Sequence, residues 1–193
     1  WAPIRHLNGV LNSPELREAY NRCLPELTAY YAEKGQDQGL FCAFRAIAEG
    51  PEYERLDAVQ QKVVDDALRD FRLAGIDLPQ DQRERFLAIE SELSDLSSRF
   101  EQNLLDATDA WTLAITDEKR LEGLPESVRE MARETARSRD QEGWLFTLQA
   151  PSFIGVMTHA ADRELRREIY EAFTTRASET GPHGGRWDNG PIM

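Results

Sequence analysis

The sequence predicts a mainly α protein, an antiparallel bundle of long helices carrying a small two-stranded β ribbon at about 111–116 and 144–149. Three observations predict it. Apolar residues recur at spacings of 3 and 4 over most of the chain. Residues 80–111 contain no Gly or Pro while Phe86, Ile89, Leu93, Leu96, Phe100 and Leu104 keep that period. The period changes only around Trp111–Thr116 and Gly143–Leu148, where short runs read as strands.

Asn12-Ser13-Pro14-Glu15 opens the first predicted helix, with Ser13 as N-cap, Pro14 in the first turn and Glu15 on the positive end of the dipole. Leu16, Tyr20, Cys23, Leu27 and Tyr30 form its stripe, Pro25 is expected to kink or split it, and Gly35 ends it. A second helix over Gln38–Glu49 stops at Gly50-Pro51. A third runs from about Glu52 to Leu73, its stripe Tyr53, Leu56, Val59, Val63, Ala67, Leu68 and Phe71, and Gly75 closes it.

The helix from Gln80 to about Trp111 is the longest, a rod of roughly 45 Å at 1.5 Å per residue. Its Phe86–Phe100 stripe is expected to be the central buried seam, packed on the helices at 13–34 and 52–73. Pro125 starts a helix to Arg139, and Pro151 opens a short one through Met157. Asp162 caps a last helix to about Ala177, with Leu165, Ile169, Tyr170 and Phe173 inside and Arg163, Arg166 and Arg167 outside. Gly181–Gly185 is loop. The organisation expected is a helical lobe over 1–177 and a flexible connector over 178–193.

Thirty-five acidic residues against 23 basic ones give a net charge of −12. That excludes a nucleic-acid binder, which needs surplus Lys and Arg to neutralise phosphates, and disfavours an anionic membrane surface. No apolar run is long enough to span a membrane and no signal peptide opens the sequence, so the expected compartment is the cytoplasm. The two cysteines, Cys23 and Cys42, form no C-x-x-C pair and read as reduced, small core residues. The start at Trp1 and the end at Met193 give the sequence the look of an excised piece.

Chemistry-bearing motifs are missing. A zinc site needs converging ligands, commonly two of them close in sequence. Here His6, His159 and His183 stand far apart, and none has a second His four positions on. His159 reads as a helix-end histidine facing solvent or carbonyls. No G-x-S-x-G elbow, P-loop or G-x-G-x-x-G follows a strand. Ser94, Ser97 and Ser98, and the carboxylates Glu90, Glu92 and Asp95, read as helix surface, and Trp111, Trp144 and Trp187 as packing anchors.

Local wording then carries more than periodicity. Pro3-Ile4-Arg5-His6-Leu7-Asn8, Glu15-Leu16-Arg17-Glu18-Ala19-Tyr20-Asn21, Ala67–Ile76, Phe100–Thr108 and Leu124–Ser127 resemble the N-terminal half of the oligopeptidase A and thimet oligopeptidase family of zinc metallopeptidases. Pro151-Ser152-Phe153, Ala161–Tyr170, Thr175–Ser178 and Trp187-Asp188-Asn189 continue it to the end of the chain.

The resemblance implies a helical peptidase that cuts short peptides in a channel between two lobes. Its zinc would be held by a His-Glu-x-x-His motif and a later Glu, all downstream of residue 193. In such a motif the metal polarises the scissile carbonyl and the Glu is base to the attacking water. No catalytic, metal or substrate-binding residue is therefore assigned here, and no cofactor to this segment. The expected partners are the downstream catalytic lobe and short peptides, with neither nucleic acid nor membrane. The alternative is a free-standing acidic helical module that binds another protein. A channel wall should expose an apolar patch where its lobe is missing, and a finished module should not.

Overall fold

The structure is a computed structural model that describes all 193 residues, Trp1–Met193. Eight α-helices and one two-stranded antiparallel sheet make it mainly α. The chain divides into two compact units, Trp1–Ser98 and Arg99–Met193.

The first unit opens with a helix that the sequence reading missed, α1 (Ala2–Val10). Trp1 stacks on Tyr20 of α2 (Pro14–Gly35) at 4.7 Å between centroids, and Asn12 donates to the Asn8 side chain at 2.8 Å. Ser13 caps α2 by accepting from the Leu16 amide at 3.2 Å. Pro25 neither splits nor ends α2, which runs on to Gly35. Its ring is exposed, so the backbone bond it removes lies where water can replace it.

Asp37 caps α3 (Gln38–Glu49) through the Leu40 amide, and Gly50 ends it. The third predicted helix begins later than expected. Residues Tyr53–Arg55 form a 3-10 turn, and Asp57 starts α4 (Ala58–Leu73) with a capping box completed by Gln60. Phe41 and Phe44 of α3 meet Phe71 of α4, each ring pair 5.9 Å apart. Val64, Leu68 and Ile76 complete this small core. Val59 and Val63, which the spacing placed on the buried stripe, are instead 73% and 59% exposed.

The last helix of this unit begins at Gln80, and α5 (Gln80–Ala110) contains the boundary between the two units. Its stripe is not a buried seam: Leu93 is 53% and Ile89 38% exposed, and Phe86 and Leu96 are only half-buried. A hydrogen bond between the Thr28 and Ser94 hydroxyls, 2.9 Å, joins α2 to α5. Periodicity marks which face of a helix is apolar, not whether a neighbour covers it. The cysteines correct the reading in the same way, since Cys23 and Cys42 are both free and exposed.

The second unit holds the denser core. Strands β1 (Thr112–Ile115) and β2 (Trp144–Thr147) pair antiparallel, Thr112 with Thr147 and Ile115 with Trp144. Gly143, at φ +82°, lets the chain enter β2: a Cβ there would stand 2.4 Å from the Ile115 carbonyl oxygen. Helix α6 (Glu126–Ser138) lays Ala132 and Ala136 against the ribbon, and α7 (Ala150–His159) adds Val156. Helix α8 (Arg163–Thr175) contributes Leu165, Ile169 and Ala172, while Tyr170, expected inside, is exposed. Phe146, Leu121, Leu165 and Ile169 have no exposed surface at all.

Candidate functional site

The polar groups that sequence and chemistry bring together in the second unit are built around arginines. A 3-10 turn at Glu118–Leu121 places Arg120, whose Nε donates to Asp162 Oδ2 at 2.9 Å and whose Nη2 donates to Glu168 Oε1 at 2.7 Å. Asp162 is the N-cap of α8 and accepts from the Glu164 and Leu165 amides with its other oxygen. The hydrogen bond from Arg120 is the main reason the Asp162 carboxyl titrates below its usual range; the two amide bonds add to it. Arg129 reaches back from α6 to the Leu121 and Leu124 carbonyls. Every one of these donors is spent on the fold.

The turn closes against α7. Gly123, at φ +85°, lies so near the His159 carbonyl that a Cβ would stand 2.4 Å from its oxygen, and Ala161 donates to the Glu122 carbonyl at 2.7 Å. At the far end of α8 the Arg176 guanidinium carbon sits 3.7 Å from the centroid of Phe173, which stacks on Phe153 at 3.8 Å. Burial pushes the Arg176 pKa down, as desolvation of a cation must.

Beyond Arg176 the chain turns back. Asn189 is buried; its amide donates to the Ala177 carbonyl and its side chain to the Phe100 carbonyl, and it accepts from Asn103 at 2.9 Å. Trp187 is half-buried, with His183 edge-on at 4.9 Å and Arg186 over its ring. In the first unit, α2, α4 and α5 border an open groove of about 420 Å3, lined by Tyr31, Leu73, Phe86 and Leu93 with Glu90 as its charge.

The histidines do not converge with other ligands. His6 on α1 and His159 at the end of α7 are exposed, and His183 packs on Trp187. No three His, Cys, Asp or Glu side chains are grouped to hold a metal ion. The residues present therefore do not fit a zinc site. Arg120 stands in no motif, and Asn189 stands only in the Trp187-Asp188-Asn189 stretch of the resemblance, with no role attached to it. The cap signal at Asp162 was readable, but nothing in sequence announced the arginine 42 positions earlier that grips it.

Residues 1–83, all within the first unit, match the family model described as the neurolysin/thimet oligopeptidase N-terminal domain. Over all 193 residues the chain is 48% identical to oligopeptidase A of Salmonella typhimurium (strain LT2) and 46% identical to that of Escherichia coli (strain K12). The chain is similar along its whole length to oligopeptidase A. It spans 28% of the length of those two relatives. The likeness extends to the dipeptidyl carboxypeptidase of Salmonella typhimurium, 29% identical over 94% of this chain and 26% of that protein. No helix is long and apolar enough to cross a membrane.

Proposed function

We propose that this chain is the N-terminal, non-catalytic helical wall of a zinc-dependent, cytoplasmic oligopeptidase that hydrolyses short peptides. The observation that carries this reading is a match over all 193 residues to peptidases of which the chain spans 28%, together with an N-terminal-domain match over 1–83. The metal ligands and the base belong to a catalytic lobe outside residues 1–193, joined through 178–193. The lobe's zinc would polarise the scissile carbonyl and activate water. The present residues would bound the channel and exclude folded proteins from it. The exposed Val59, Val63 and Leu93 favour a wall over a self-sufficient interaction module, whose surface would be polar all round.

The test compares this chain with the longer protein that contains it. A quenched fluorescent peptide should be cleaved, sensitively to chelator, by the longer protein alone. After dialysis this chain should retain no stoichiometric zinc. Chelator-sensitive cleavage by residues 1–193 would overturn the reading.

A further inference from the structure

We propose that the outer side of the α3–α4 hairpin is the surface on which the catalytic lobe docks, and that what it receives there is an uncharged, apolar helix. The inference rests on the reading just given and names the contact that reading leaves open.

Helix α3 is more apolar than its packing requires. At about 100° per residue, its apolar positions sweep an arc of roughly 220°. An ordinary surface helix presents an apolar stripe of only about 100°. Phe41, Phe44 and Ala48 take up one half of the arc against α4. The other half, Leu40, Ala43, Ala46 and Ile47, is exposed. On α4 the buried line is Val64, Leu68 and Phe71, and Val59 and Val63 stand away from it, 73% and 59% exposed.

The two exposed stripes are one surface. The helices run antiparallel, since Phe41 near the start of α3 meets Phe71 near the end of α4. Each stripe is displaced from its own buried line by about 100–130° in the same rotational sense. In an antiparallel pair, equal senses put both stripes on the same side. Ala43 and Ala46 keep the middle of that side shallow, so a second helix can approach closely between Leu40 and Ile47.

Charge selects the occupant. The only charged side chain from Gln38 to Ala48 is Arg45, and it lies over the Phe41 ring, away from the exposed stripe. Asp66 and Asp70 continue the α4 stripe three and seven positions after Val63, and both are paired, with Lys62 and Arg69. The surface therefore offers a partner no unpaired charge. A second copy would bring another net −12 against this one, which opposes association. The hairpin lies wholly within the residues that match the N-terminal domain, and about three quarters of each oligopeptidase A relative lies beyond the length this chain spans. An apolar helix of that remainder needs no salt bridge and covers the face.

The test uses maleimide labelling of Ala43→Cys, with Cys23→Ser and Cys42→Ser in the background, in this chain and in the longer protein. Labelling should be at least about tenfold slower in the longer protein. Val63→Glu should lower the melting temperature of the longer protein and leave that of this chain unchanged. Equal labelling rates in the two proteins would overturn the proposal, and so would protection in this chain alone that grows with its concentration, which would mark a second copy. If Val63→Glu unfolds both proteins, the labelling rates decide. Loss of the peptidase reading would appear separately, as a longer protein that cleaves nothing yet still protects Ala43→Cys.

Discussion

Arg120 donates its Nε hydrogen to Asp162 Oδ2 across 2.9 Å, so the side chain that starts α8 is itself held by a turn 42 residues earlier. The arrangement couples a cap to a tertiary contact. Asp162→Ala should cost about 1–2 kcal/mol, because two amides lose their acceptor and Arg120 loses one partner. The pH dependence has a definite sign. The folded carboxyl titrates below its unfolded value, so it adds stability above the unfolded pKa and loses it as pH falls through the folded one. Arg120→Gln should therefore cost most at neutral pH, and its difference from the parent should shrink as pH falls below about 4, which flattens the acid limb. An unchanged acid limb in that variant would show that the pair contributes nothing.

What the sequence made legible was local. The Ser13 and Asp162 caps, the glycine stops and the period-two runs at the ribbon all act within a few residues, and their elements lie close to where spacing put them. Coverage of faces was not legible. The stripe of α5, the valines of α4 and the two cysteines all keep helical period, yet water reaches them, because burial depends on a partner surface that periodicity does not encode. The polar contacts were hidden for a related reason: Arg120 to Asp162 and Asn103 to Asn189 join residues 42 and 86 apart.

Truncations should separate the real core from the apparent one. Ile169 has no exposed surface, and Ile169→Ala should cost about 2–5 kcal/mol through lost burial and an unfilled cavity. Leu93→Ala, at a site more than half exposed, should cost well under about 1 kcal/mol. Chemical denaturation followed by circular dichroism distinguishes them. A Leu93→Ala penalty as large as that of Ile169→Ala would restore the α5 stripe as a buried seam.

Two glycines give opposite expectations for one substitution. Gly9 lies inside α1 with open space around its Cβ position, so Gly9→Ala should stabilise by about 0.5–1 kcal/mol. At Gly123 a Cβ would meet the His159 carbonyl oxygen and the Ala161 amide nitrogen, backbone atoms that cannot swing aside, and φ is +85°. Gly123→Ala should destabilise by at least about 2 kcal/mol, combining left-handed strain with a steric clash. Thermal melts of the two variants beside the parent would check this, and a neutral Gly123→Ala would mean that the turn can move away from α7.

The segment after α8 has the composition of a linker, with glycines at 181, 184, 185 and 190, yet Asn189 anchors it. Its side chain both accepts from Asn103 and donates to the Phe100 carbonyl, and its own amide bonds Ala177. Asn189→Ala removes both side-chain bonds and leaves the Asn103 amide without that acceptor, at a cost of about 1–3 kcal/mol. Trp187 and Ile192 are the only half-buried apolar side chains of residues 178–193, so the loss should appear first as local opening rather than global unfolding. Limited proteolysis should cut Asn189→Ala near Arg186 faster than the parent, and Trp187 emission should shift to the red. Asn189→Asp keeps an acceptor for Asn103 but loses the donor to Phe100, and should fall between the two. Equal proteolysis rates in all three proteins would show that Asn189 does not hold the segment in place.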